Sequence, residues 1–169
     1  ILNPDGTIDY MAVVNSLTYD KTRFEFISEY IEKCEGATMV LANRVEYLQR
    51  LCEKSSKRAI CISGASQSKK AKQERKEALQ QLNDGKIDII FATYQLAKEG
   101  LDVPNLRYVV FATPEKDSTT VIQSVGRVGR KAEGKKCGVV VDFVDDFGMY
   151  KGWAARRKGY YKKINAEVT

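Results

Sequence analysis

The chain has 169 residues, 43% of them hydrophobic and 30% charged, with a formal net charge of +6 and no histidine. That length suits one domain with a proper core, and the composition is ordinary for a soluble globular protein. Without an imidazole, histidine-driven triad hydrolysis is excluded and a typical zinc site is disfavoured; no run of about 18 apolar residues offers a membrane span.

The positive charge, with a pI near 9.1, leans towards an anionic partner such as nucleic acid. The opening ILNPDG has neither the charged start nor the apolar block of a secretory signal, and it lacks a leading Met, which points to a piece of something longer. Residues 1–16 are the least patterned and are expected to be a connector, with one domain over 17–169. Cys34, Cys52, Cys61 and Cys137 show no C-x-x-C spacing. They read as buried thiols of a reducing, cytoplasmic setting, not as a metal site or disulfide framework.

In chain order, Asp20 is a candidate N-cap for a helix whose stripe is Phe24, Ile27 and Ile31, and Gly36 ends that segment. TMVLA at 38–42 predicts a strand, and Val45, Leu48 and Leu51 predict a helix behind it. AICIS at 59–63 predicts a second strand. In SKKAKQERKEALQQLNDG, Ala71, Ala78, Leu79 and Leu82 share one side of a helix that stops at Asn83-Asp84-Gly85. IDIIFA at 87–92, RYVVFA at 107–112 and GVVVDFV at 138–144 predict three more strands. These runs are mostly continuous and rich in Val and Ile, as strands are when both faces are covered. Alternation with helices implies a doubly wound α/β layer structure.

At the end, MYKGWAARRKGYYKKIN puts Met149, Trp153, Tyr160 and Ile164 near one stripe, with Arg156, Arg157, Lys158, Lys162 and Lys163 mostly elsewhere. A helix docked on the sheet with a wet basic back is expected; a grip on single strands by stacking and phosphate attraction is the alternative. The basic run SKKAKQERK poses the same choice between a solvated helix face and phosphate contact. DFVDD places Asp142, Asp145 and Asp146 near a strand end, where an interface or capping role is expected and not a metal.

Ligands of such sheets gather at the carboxyl ends of the strands. The exits here are Asn43-Arg44, Ser63-Gly64, Thr93-Tyr94 and Thr113-Pro114. Strand ends also need turn residues, so each exit alone supports either reading.

One further helix, opening at Ser118, carries QSVGRVGR from Gln123 to Arg130. Gln123, Arg127 and Arg130 fall on one face, and Val121, Val125 and Val128 on the opposed one. Gly126 and Gly129 fit a place where something approaches the backbone or the helix packs tightly. Arginine does not give up its proton, so this face does no acid/base work, but its planar fork suits phosphate. Two solvated arginines on a surface helix would show the same spacing.

QSVGRVGR resembles the Q-x-x-G-R-x-G-R signature, motif VI, of superfamily 2 helicases and translocases. ATYQLAKEGLDVP at 92–104 resembles motif V of these families, MVLANRVEYLQRL at 39–51 resembles motif IV, and the segment between them is similar too, in the same order and spacing. The resemblance runs from about Asp20 to Asp142 and implies the C-terminal RecA-like lobe of a helicase motor. In that family ATP lies between two lobes, and the first lobe supplies the P-loop and the acidic residues that hold Mg. Carried over by position, Arg130 is the finger reaching the γ-phosphate and Arg127 its partner. Gly100 and Asp102 lie near the ribose, and Gln123 lines the lobe interface. Asn43, Arg44, Gly64 and Thr93 face the nucleic-acid backbone.

Ser124 stands where many relatives have Arg, which points away from the DEAD-box branch and towards DNA-repair and phage-type helicases, with DNA the expected partner over RNA. The chain has no G-x-x-x-x-G-K-[ST] and no D-E-x-H or D-E-x-D. Alone it is expected neither to hydrolyse ATP nor to unwind a duplex. The alternatives are a non-catalytic nucleic-acid-binding module that keeps this fold, and a small-ligand α/β domain.

Overall fold

The computed structural model describes residues 1–62, 68–98, 103–117, 119–120, 123, 126, 128, 137–163 and 167. The first two helices begin where a short carboxylate meets an apolar stripe. Asp9 accepts from the Ala12 N–H at 2.9 Å to open α1 (Tyr10–Tyr19), and Asp20 accepts from the Arg23 N–H at 2.8 Å to open α2 (Lys21–Lys33). Caps of this kind contribute about 1 kcal/mol each. Phe24, Ile27 and Ile31 are buried, as the stripe requires. Gly36, in the turn to the first strand, has φ +102°, and a Cβ there would stand 3.2 Å from Arg107 Cδ, so this turn needs glycine.

Strands β1 (Thr38–Ala42), β2 (Ala59–Ile62), β3 (Ile89–Thr93), β4 (Tyr108–Phe111) and β5 (Val139–Asp142) alternate with α3 (Val45–Lys54), α4 (Lys69–Asn83) and α5 (Tyr94–Lys98). They form one parallel sheet in the order β2-β3-β1-β4-β5. Successive side chains leave a strand on opposite faces. Val40, Ala42, Ile89, Phe91 and Val110 pack with α2 and α3. Met39, Leu41, Ile90, Ala92, Val109 and Phe111 pack with α4 and α5. With both faces covered, the continuous apolar runs are explained, and the expected doubly wound α/β class is the one observed. On α3 the buried stripe is Tyr47, Leu48 and Leu51, while Val45 is 36% exposed.

The expected division at residue 16 has no break in the structure, because α1 runs across it. Val13 and Val14 are buried against Tyr150 of the last helix, α6 (Gly148–Lys163), and Tyr10 tilts on Trp153 with ring centroids 5.6 Å apart. Leu17 packs on the same cluster, so Tyr10, Val13, Val14 and Leu17 form one stripe.

α6 docks on the rest of the fold, but its buried positions are Tyr150, Arg157 and Tyr161, one residue round from the stripe expected to start at Met149. Arg157, expected on the wet basic back, is 1% exposed. The correction has a cause: Asp142, at the end of β5, meets its charge. Of the four free thiols, all expected to be buried, Cys34 is buried, Cys52 and Cys61 are half-buried, and Cys137 is exposed.

Candidate functional site

The connection leaving β1 passes to the α3 face, and those leaving its neighbours β3 and β4 pass to the other face through α5 and the helix holding Val128. The carboxyl end of β1 is therefore a topological switch point, the place where open α/β sheets hold ligands. Register brings Ala42 beside Thr93 and Leu41 beside Phe111, so Asn43, Arg44, Thr93 and Thr113 gather along one edge. Asn43, Arg44 and Thr93 are all half-buried. The Asn43 N–H donates to Thr113 Oγ1 at 2.9 Å, and its side-chain amide donates to the Pro114 carbonyl at 3.2 Å. Arg44 reaches α1, with Nη2 3.1 Å from Met11 Sδ.

The peptide leaving β4 is held at four successive carbonyls. Arg23 Nη1 donates to Ala112 O at 2.9 Å and the Tyr94 hydroxyl to Thr113 O at 2.5 Å. Asn43 takes Pro114 O, and Arg157 Nη1 donates to Glu115 O at 2.8 Å. Each arginine also forks onto an aspartate beyond β4. Arg23 Nε and Nη2 lie 2.5 and 2.9 Å from Asp145, and Arg157 Nε and Nη2 lie 2.7 and 2.8 Å from Asp142. Burial works against both guanidinium charges, but the paired carboxylates outweigh it and both pKa values rise. Tyr161 donates to Asp142 at 2.8 Å. Burial, then that carboxylate, push its phenol up. Burial, then Glu115 and Asp142, push Tyr94 well above the ordinary phenol. Groups so displaced do not exchange protons near neutrality; they hold shape.

Sequence reading passed over Arg23, named Tyr94 only as a strand exit, and placed Arg157 on the solvated side of its helix. Arg23 hides in the first turn of α2 and Arg157 in a basic run. The available signal was the pair of aspartates after β5, which calls for two cations.

From the clamped peptide the chain enters the glycine–arginine helix. Asp117 accepts from the Thr119 N–H at 3.2 Å and from the Thr120 hydroxyl at 2.6 Å, next to the expected start at Ser118. Val128 is 2% exposed and Gln123 is exposed, as the two-faced reading requires of these two; Gly126 is exposed, and Thr120, on the Arg127 side by helical spacing, is 1% exposed in the first turn. A Cβ on Gly126 would meet nothing within 4 Å, so among the described residues no packing explains that glycine. Arg127, Arg130, Gly100, Asp102 and Gly64, with Gly129, lie outside the described residues.

Among the described residues no three His, Cys, Asp or Glu side chains form a metal group. With no phosphate loop in the sequence either, these residues do not fit a magnesium site, and no step through the metal follows from them. No described helix is long and apolar enough to cross a membrane. For a nucleotide, exposed Gln123 and the bare backbone at Gly126 leave an open face on this helix.

The helicase conserved C-terminal domain model matches residues 22–132. A helicase-named protein of the Sulfolobus islandicus filamentous virus is 30% identical over 162 residues, covering 95% of this chain and 29% of that relative. The ATP-dependent DNA helicase uvsW of Enterobacteria phage T4 is 38% identical over 82 residues, covering 48% of this chain and 16% of its own length. The crystal structure of T4 UvsW superposes with a TM-score of 0.73 at 20% identity, covering 92% of this chain and 35% of that one. The C-terminal domain of the DEAD-box protein Dbp5 gives 0.69 at 22% identity, covering 85% and 81%. This chain spans under a third of the curated relatives it matches. The lean towards phage-type members read from Ser124 has UvsW on its side. The parallel sheet, the match over 22–132 and these likenesses establish that the chain belongs to the helicase conserved C-terminal domain family, as a RecA-like lobe of the superfamily 2 type.

Proposed function

We propose that this chain is the second motor lobe of an ATP-driven nucleic-acid helicase or translocase. The observation that carries the reading is the two-sided exposure within QSVGRVGR: Val128 buried, Gln123 and Gly126 open. In this reading Arg130 reaches the γ-phosphate of an ATP held, with Mg, mainly by an N-terminal RecA-like lobe, and Arg127 partners it. A guanidinium presented to a transferring phosphoryl group stabilises the charge spread over its oxygens. Such fingers contribute about 10³ to 10⁵ in rate. Gly100 and Asp102 lie near the ribose, and Gln123 lines the lobe interface. Asn43, Arg44, Gly64 and Thr93 serve the nucleic-acid backbone, largely blind to base sequence. DNA is the preferred partner by the likeness to UvsW. Without a P-loop this chain alone neither hydrolyses ATP nor unwinds a duplex. A reducing, cytoplasmic setting belongs to the reading, supported by four free thiols.

In the full-length protein, Arg127→Ala is expected to abolish nucleic-acid-stimulated ATPase while nucleic-acid binding stays nearly intact. Equal loss of both would favour a non-catalytic nucleic-acid-binding module instead. For the isolated chain, ATP turnover above that of its Arg130→Ala variant would contradict the two-lobe requirement.

A further inference from the structure

The peptide Ala112–Glu115 joins β4 to the helix of Thr119, Thr120, Gln123, Gly126 and Val128, and it is held by its main chain. Its four carbonyls accept, one each, from Arg23 of α2, Tyr94 of α5, Asn43 at the end of β1 and Arg157 of α6. These donors come from both faces of the sheet. Arg23 and Arg157 are themselves fixed at the far side, on Asp145 and Asp142. Thr113 and Pro114 are buried, and Asp117 then caps the first turn of the helix through Thr119 and Thr120. A loop at a strand exit needs only turn residues to reverse its path. Four side chains on four consecutive carbonyls, two of them desolvated cations, are far more than a turn requires. A guanidinium is suited to this work because its planar fork holds a carboxylate with two donors and still offers a third.

Resting on the reading of the chain as a motor lobe, we propose that Arg157 and Arg23, backed by Asp142 and Asp145, are positioning residues. They fix where the glycine–arginine helix leaves the sheet, and hence where its arginines stand when the lobes close. They touch neither nucleotide nor nucleic acid. Misplacement of a reacting group by about 1 Å costs up to about 10²-fold in rate. The loss falls on the transition state and not on ground-state binding.

The test uses the full-length protein with Arg157→Lys, which keeps the cation but not the fork. The expected result is a fall in nucleic-acid-stimulated kcat of about tenfold or more, with KM for ATP and nucleic-acid affinity within about twofold. Affinity for ADP with aluminium fluoride, a transition-state mimic, should fall in step with kcat while affinity for ADP alone does not. Tyr94→Phe, which removes one clamp bond and keeps the buried ring, should move kcat the same way by a smaller factor. Arg130→Ala is measured alongside. If Arg130→Ala keeps turnover, the motor-lobe reading itself fails. If Arg130→Ala loses turnover while folded Arg157→Lys keeps both kcat and the mimic preference, the positioning role is overturned. Should Arg157→Lys not fold, unchanged kcat in Tyr94→Phe overturns it equally.

Discussion

Arg157 lies fork-on against Asp142, Nε and Nη2 at 2.7 and 2.8 Å from the two carboxylate oxygens, with side chains 2% and 14% exposed. Breaking one partner of such a pair strands the other charge away from water, at a cost of about 3–5 kcal/mol. Removing both is far milder, because no charge is left without a counter-ion. Asp142→Asn and Arg157→Met are each expected to lower unfolding free energy by about 3 kcal/mol, and the double variant by clearly less than their sum. Urea titration at neutral pH measures it. Simple additivity would show that the pair is not coupled.

Two glycines near each other in sequence have opposite reasons to be there. A Cβ on Gly138 would stand 2.0 Å from Val128 O and 2.6 Å from Val128 C, so Gly138→Ala must push β5 and the glycine–arginine helix apart. A loss of about 2 kcal/mol or more is expected, in the upper range for overpacking. Gly126 has open space around it, so Gly126→Ala should stabilise by about 0.5–1 kcal/mol through helix propensity. If that space admits a nucleotide or the other lobe, the same variant lowers ATPase in the full-length protein. Thermal melts and turnover separate the two effects. Stabilisation with undiminished turnover would leave Gly126 without a functional reason.

Two tyrosines of α6 make a sharper contrast. Among the described residues the Tyr150 hydroxyl is buried without a hydrogen-bond partner, whereas the Tyr161 hydroxyl donates to Asp142 at 2.8 Å. Tyr150→Phe removes an unsatisfied polar group and is expected to be neutral or stabilising by up to about 1 kcal/mol. Tyr161→Phe removes a bond to a charged group and should cost about 1.5–3 kcal/mol. A loss of the same size from both, in paired urea melts, would mean that Tyr150 has a partner after all.

The sheet was legible because each strand is a continuous Val- and Ile-rich run, and burial on both faces allows nothing else. The edge was legible too, since strand polarity alone sends Asn43, Thr93 and Thr113 to one side. What pattern could not give was pairing between distant polar residues. Arg23 and Asp145 are separated by 122 residues, and no periodicity links them. Arg157 looked like one more solvated cation in RRK, because helical phase read from aromatics alone was off by one position. α1 was passed over although its signal was there: Tyr10, Val13, Val14 and Leu17 stand at i, i+3, i+4 and i+7 and pack on α6.

The alkaline limit of the fold follows from its buried acids. Burial pushes the Cys34 and Cys61 thiols up to about 11, with Cys52 adding to the rise at Cys61. Burial, then Tyr10 and Asp145, push Tyr150 up to about 12. Tyr94 and Tyr161 are raised further by burial and by neighbouring carboxylates. In each case the folded chain keeps a proton that the unfolded chain releases, the thiols from about pH 9 and the phenols from about pH 10. Stability from these groups is therefore fully present below about pH 9 and is lost as pH rises through the folded values, more steeply above about pH 10. Urea midpoints taken at intervals from roughly pH 8 to roughly pH 10.5 should stay level at first and then fall. Cys34→Ala with Cys61→Ala should remove the earlier part of the decline, and Tyr161→Phe should soften the later part. A midpoint that stays level through the whole range would mean that these side chains ionise in the fold as easily as in open chain, and that they are not held as the structure holds them.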